Sequence, residues 1–204
     1  MSDGEPELPI QPYPFPGPSP ALRPWNPAAP VAAARVIALV TSRLPDTGMD
    51  HVGSTSVPGC DGKGTLDFVI PYRNQHHLEE INEALFALGC GRQRGKEPFS
   101  ESRPMRNGAF THEGETFLLH IHVVPMTSPD EAELLEFRDR LLADPSLVDR
   151  YVALKRGIME TGPADSLVYT KAKRQFFSDL GFPQVEDEPA ATRPTLSGEA
   201  AEDR

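Results

Sequence analysis

His51-Val52-Gly53-Ser54-Thr55-Ser56-Val57-Pro58-Gly59-Cys60-Asp61-Gly62-Lys63-Gly64-Thr65-Leu66-Asp67-Phe68-Val69 is the stretch that decides how this chain folds. Small residues crowd its first half, and glycine there lets other groups approach the backbone closely. The second half runs on as an apolar segment over 65–72, stopped near Pro71, and reads as a buried strand. A short segment over 49–52 precedes the Gly53-Ser54-Thr55-Ser56 turn, so two extended pieces bracket a long loop of small residues. Asp67 is the exception in the apolar run. A carboxylate in a buried strand needs a cation or several donors to offset its desolvation, and a salt bridge to a neighbouring Arg or Lys would also serve.

Working outward, residues 31–44 (VAAARVIALVTSRL) repeat apolar positions at helical spacing before Pro45. The prolines at 6, 9, 12, 14, 16, 18, 20, 24, 27 and 30 remove backbone donors, which predicts a disordered or polyproline-like arm over 1–28. Downstream, apolar residues at 78, 81, 85 and 88 predict an amphipathic helix ended by Gly89, and 90–94 an edge strand. Residues 108–112 and 116–124 flank Glu113-Gly114-Glu115 as a hairpin. After Ser128-Pro129-Asp130-Glu131, a capping residue followed by proline and acids, a helical half is expected at 129–143, 146–160 and 165–180. The reading is one domain over 29–182, with a disordered acidic tail over 183–204.

Of the 204 residues 38% are apolar, and they are interrupted too often for the run of about 18 that would cross a bilayer, so no membrane is expected as a partner. The first residues carry no basic start and no apolar stretch, and Cys60 and Cys90 are too few for a disulfide framework. A cytoplasmic location is the expectation. A formal net charge of −10 argues against general nucleic-acid binding, which needs clustered Lys and Arg, although much of the negative charge sits in the termini.

Pro58-Gly59-Cys60-Asp61-Gly62-Lys63-Gly64-Thr65 resembles the phosphate loop of a nucleoside-monophosphate kinase. Two features oppose that reading. The first glycine of the motif falls on Val57, and TLDFVIPY follows Gly64 where a helix should present its N-terminus to the anion.

The same stretch, His51 to Gly59 followed by Lys63 and Leu66-Asp67-Phe68-Val69, resembles the GrpB signature. The similarity extends through His120-Ile121-His122-Val123, Phe137-Arg138-Asp139, Tyr151 to Lys155 and Tyr169-Thr170-Lys171, covering about residues 31–180. This resemblance implies an α+β, nucleotidyltransferase-like mixed sheet packed with helices, plus a helical C-terminal half. It implies a Gly-Ser turn near nucleotide phosphates, with Gly53, Ser54, Thr55 and Lys63 as binding residues, Lys63 and Asp67 as catalytic residues, and Asp67 as the carboxylate that holds divalent metal, Mg²⁺ or Mn²⁺. Nucleotidyltransferases carry a second carboxylate two residues on, where this chain has Val69, and GrpB-like proteins share that loss.

His120 and His122, two apart in a strand, point to one face, where with Asp67 they would form a His-His-carboxylate set suited to Zn²⁺, Mn²⁺ or Fe²⁺. The plainer alternative is one solvated and one hydrogen-bonded histidine. His51 is a candidate acid/base or phosphate contact, with a strand-end cap as its alternative. Arg138, Lys155, Lys171 and Lys173 could reach an anion, with Lys155 and Tyr151 four apart on one helix face, and Arg92, Arg94, Arg103 and Arg106 surround a segment able to close over a ligand. Three functions follow: metal-dependent transfer of a nucleotidyl group from a nucleoside triphosphate to an acceptor, a non-catalytic nucleotide or phosphometabolite-binding module, or a His/Asp metal site of different chemistry.

Overall fold

The computed structural model describes residues 8–15, 17, 21–94, 98–162 and 166–182. Five strands form one mixed sheet: β1 (Asp50–Val52), β2 (Leu66–Tyr72), β3 (Gly91–Arg92), β4 (Met105–His112) and β5 (Glu115–Pro125), in the order β1-β2-β5-β4-β3. β2 and β5 run parallel, and the other neighbours are antiparallel. This is the α+β mixed-sheet architecture expected from the sequence. Pro71 is tolerated inside β2 because β1 pairs only as far as Val69, so the missing N–H faces an open edge.

Strand alternation divides the side chains of β2 and β5 between two faces. Leu66, Phe68, Ile70, Leu119, Ile121 and Val123 pack against α1 (Ala29–Thr41) and α2 (Gln75–Ala87) in the main core. α2 begins where the Asn74 side chain accepts the His77 N–H, satisfying a first-turn donor that has no partner inside the helix. On the other face a smaller cluster of Val52, Val69 and Val124 meets Leu134 and Leu135 of α3 (Asp130–Ala143).

The helical half grips the small-residue loop. Val57 and Cys60 pack with Phe137 and Leu141 of α3, Leu147, Val148, Tyr151 and Val152 of α4 (Pro145–Glu160), and Phe176 and Phe182. The helix expected over 165–180 is two, α5 (Ser166–Ala172) and α6 (Arg174–Asp179), broken at Lys173. Ser128 does not cap α3: its hydroxyl donates to the Pro125 carbonyl, and acids at 130, 131 and 133 fill the first turn.

The proline-rich arm is tied to the domain at particular residues. Ile10 is fully buried in the main core, its N–H donates to the Leu88 carbonyl, and Gln11 pairs with Ala109 of β4. Glycines at both sides make room: a Cβ on Gly89 would stand 1.9 Å from the Ile10 carbonyl oxygen, and one on Gly108 2.4 Å from Ile10 Cγ2. Arg23 bridges Gly62, and Trp25 donates its N–H to Asp61 and its indole Nε1–H to the Thr55 carbonyl. Proline density describes local donors and says nothing about one apolar side chain with a prepared socket. Residues 1–7 and the tail over 183–204 lie outside the described residues. Among the described residues no helix is long and apolar enough to cross a membrane.

Candidate functional site

Register decides which side chains meet. Asp67 lies opposite His120, and Val69 opposite His122, so Asp67, His120 and His122 share the sheet face that carries Val69 and Val124, together with Met105 and Asn107 of β4. His120 Nδ1 lies 3.3 Å from Asp67 Oδ1, with the Asp67 side chain 31% exposed. Burial alone would raise the Asp67 pKa. The hydrogen bond and charge of His120, with His122 and Lys63 behind it, outweigh burial and hold it below the usual carboxylate value.

Gly53 abuts this carboxylate. Its φ is +72°, a conformation that favours glycine, and an added Cβ would stand 2.6 Å from Asp67 Oδ2. The residues that follow form a single 3₁₀ turn, Ser54–Ser56. Thr55 does not face a ligand: it is buried, and its hydroxyl donates to the Thr65 carbonyl at 3.0 Å. That single proton being used, the 2.9 Å contact with His51 Nε2 requires the histidine to donate, which sets its tautomer. His51 lies opposite Phe68 in the pairing, on the face away from Asp67, and its ring packs 5.5 Å from that of Phe68. Burial pushes its pKa down to about 4, with Asp67 opposing and Arg138 reinforcing the shift. The structure therefore makes His51 a neutral brace for the turn, close to the strand-end alternative, on the sheet face away from Asp67.

Lys155 is 1% exposed. Its ammonium donates to Ser54 Oγ at 3.2 Å, to Cys60 Sγ at 3.3 Å and to the Asp61 carbonyl, and lies 4.3 Å from the Tyr151 ring centre. All three ammonium donors are thereby engaged, and Lys155 positions the loop where a phosphate contact was expected. Because Ser54 Oγ accepts from Lys155, its own proton is left to donate. Asp61 completes the anchorage, taking the Arg156 guanidinium at 2.8 Å.

Two other lysines feel the charge of Asp67. Lys63 Nζ and Lys173 Nζ lie 5.4 and 5.0 Å from the centre of the same buried Tyr169 ring. Burial lowers the Lys63 pKa against the pull of Asp67. It lowers Lys173 to about 8, with the charge of Lys63 adding to the shift and Asp67 opposing it. Lys173 stands at the α5/α6 break; Lys171, expected as the binding residue, lies two positions earlier on α5.

The metal set fares differently from its expectation. Among the described residues no three His, Cys, Asp or Glu side chains are arranged to hold a metal ion. His120 is taken up by Asp67 and by Tyr13, whose ring stacks on it at 5.7 Å and 26°. His122 meets the Phe99 ring edge-on at 5.5 Å, and burial holds its pKa at about 4 against the opposing charge of Asp67. The residues present do not make a metal centre on their own.

Of the four arginines around the segment expected to close over a ligand, three are held in ion pairs. Arg106, 1% exposed, donates to Glu101 and Asn82, Arg92 pairs with the same Glu101, and Arg103 pairs with Asp130. Arg94 lies 5.9 Å from the Phe15 ring centre. Arg138 fastens α3 to the Asp50 carboxylate and the His51 carbonyl. The kinase reading fails too, since Lys63 leads into strand β2 and not into a helix.

A family model described as GrpB protein matches residues 19–181. The chain belongs to the GrpB family. Its fold resembles that of the crystal structure of conserved protein GrpB from Enterococcus faecalis, with a TM-score of 0.62 at 20% identity over 78% of this chain and 94% of that one. A UPF0157 protein of Pseudomonas aeruginosa is 32% identical over 142 residues, 64% of this chain and 52% of the relative. The glutamate-rich protein GrpB of Alkalihalophilus pseudofirmus is 28% identical over 138 residues, 65% of this chain and 75% of that protein. The chain thus spans about half of the Pseudomonas relative. The GrpB match takes in Gly53, Lys63, Asp67, His120 and Lys173, and it leaves out Tyr13.

Proposed function

We propose that this GrpB-family chain binds a phosphorylated small molecule, nucleoside triphosphates foremost, over Asp67. One observation carries the reading: Lys63 and Lys173 share the Tyr169 ring, and burial, with the charge of Lys63 adding to it, brings Lys173 down to about 8. Like charges held together at a partly buried face are relieved by an anion between them, and lysine is a compact point charge suited to phosphate. Lys63 and Lys173 bind the phosphates, the Ser54 hydroxyl donates a further hydrogen bond, and Lys155 holds Ser54 in place. Asp67, kept ionised by His120, faces the polar part of the ligand.

A second reading, nucleotidyl transfer to an acceptor, is favoured by the persistence of an ionised, partly exposed carboxylate at the position that the family's nucleotidyltransferase-like character makes catalytic. Among the described residues a donor set for a metal is not assembled.

The test is thermal unfolding with ATP, GTP, CTP and UTP, with and without Mg²⁺ or Mn²⁺, on wild type, Lys63→Met, Lys173→Met and Asp67→Asn. Ligand at 100 times its Kd stabilises by about 2.7 kcal/mol, so a shift of several degrees is expected in wild type and its loss in both lysine variants. Binding should weaken as the pH rises through about 8, because Lys173 then gives up the charge that attracts the anion. The proposal fails if no triphosphate shifts the transition. Pyrophosphate release by wild type and not by Asp67→Asn would decide for transfer.

A further inference from the structure

The sheet face around Asp67 has two chemically different sides. Lys63, just before β2, and Lys173, at the α5/α6 break, share the Tyr169 ring and feel the charge of Asp67. Over β5, the neighbour of β2 in the sheet, stand aromatic rings instead. Tyr13 stacks on His120, and Phe99 meets His122 two residues further along β5. The arm that carries Tyr13 is fastened at Ile10 and Gln11 and again at Arg23 and Trp25. Close to Tyr13 it is otherwise open: Pro12, Pro14 and Phe15 are exposed and only Tyr13 turns inward. Phe15 and Phe99 leave 62% and 48% of their surface in water. The Tyr13 hydroxyl lies within the field of Asp67, which together with burial raises its pKa. Asp67 is therefore common to both sides.

We infer that Tyr13 and Phe99 form the subsite for a planar base, so that the ligand is a nucleotide lying across Asp67 with its phosphates on Lys63 and Lys173. This rests on the phosphate-binding reading above and deepens it. Free polyphosphate would use half of the face. A phosphorylated compound without a ring would leave the aromatic rim in water, whereas a base offers π surface to it, and base–aromatic stacking is a sequence-tolerant source of affinity. Tyr13 lies outside the residues that the GrpB model matches, and Phe99 lies within them.

Isothermal titration with ATP, inorganic tripolyphosphate and adenosine tests the inference on the full chain. Wild type should bind ATP roughly ten-fold or more tightly than tripolyphosphate, the margin one stacked base supplies. Tyr13→Ala and Phe99→Ala should each reduce that margin and leave tripolyphosphate binding as it was. Tyr13→Phe, which keeps the ring, should retain it. Phe99 is half exposed, so its variant provides a readout even if Tyr13→Ala loosens the arm. Equal affinity for ATP and tripolyphosphate would overturn the inference, as would aromatic variants that weaken both probes alike. Tighter binding of both by Tyr13→Ala would make Tyr13 a plug and overturn it as well. Adenosine binding that depends on Tyr13, with no binding of tripolyphosphate, would uphold the aromatic subsite and sink the phosphate cleft. Binding of none of the three would sink both.

Discussion

Gly53 carries more of the candidate site than its size suggests, since its positive φ and its contact with Asp67 Oδ2 exclude any side chain. Gly53→Ala should lower stability by about 1–3 kcal/mol from backbone strain and the clash with a carboxylate. Urea unfolding measures the loss, and the site reading expects ligand stabilisation to fall further than stability alone explains. The histidines set the pH response. His51 and His122 have folded pKa values near 4 against 6.5 unfolded, so the unfolded chain binds more protons between those limits. Their contribution is complete above about pH 6.5 and is lost as the pH falls towards 4. The urea midpoint should therefore drop across that window, and His51→Gln should flatten the drop. A midpoint indifferent to pH between 6.5 and 4 would contradict the neutral brace.

At the scale of elements, the apolar positions at 78, 81 and 85 all fall within α2, and Asn74 explains where it begins. Asn74→Ala removes the side-chain acceptor for the His77 N–H and should lower stability by about 1 kcal/mol, which chemical unfolding resolves. The hairpin and the Leu66–Tyr72 strand were legible because alternation and turn glycines are local signals. The α5/α6 break was not legible. Nothing in Thr170-Lys171-Ala172-Lys173 marks it, and the packing of Tyr169 and Phe176 into the molecule comes from distant parts of the chain.

Across the whole molecule the arm and the helical half hold the small-residue loop from two sides, through Trp25 and Arg23 on one and Lys155 and Arg156 on the other. Deleting residues 1–28 would remove Ile10 from the core and the Trp25 anchors from the loop. Losing a fully buried Ile side chain alone corresponds to about 2–5 kcal/mol, so the deletion should lower the melting temperature by roughly 5 °C or more. An unchanged melting temperature would show that the arm is dispensable, as proline content alone suggests.

The register of β2 on β5 put Asp67 on the face of His120 and His122, and the mixed α+β class came by way of the family resemblance. From sequence alone came the strand bearing Asp67, the common face of the two histidines, and the residues that carry that resemblance. Each depends on near neighbours along the chain: the period of two in a strand, the period of 3.6 in a helix, and small residues in one loop. Tertiary structure alone decided what each polar side chain does. Lys155 and Thr55 are spent on holding the loop, His51 lies behind the sheet, and Tyr13 arrives from an arm more than 50 residues before Asp67 in the chain. A side chain's partner is set by what folding brings within a few ångströms of it. Residue spacing records that only within a strand or helix, and not between elements distant in sequence.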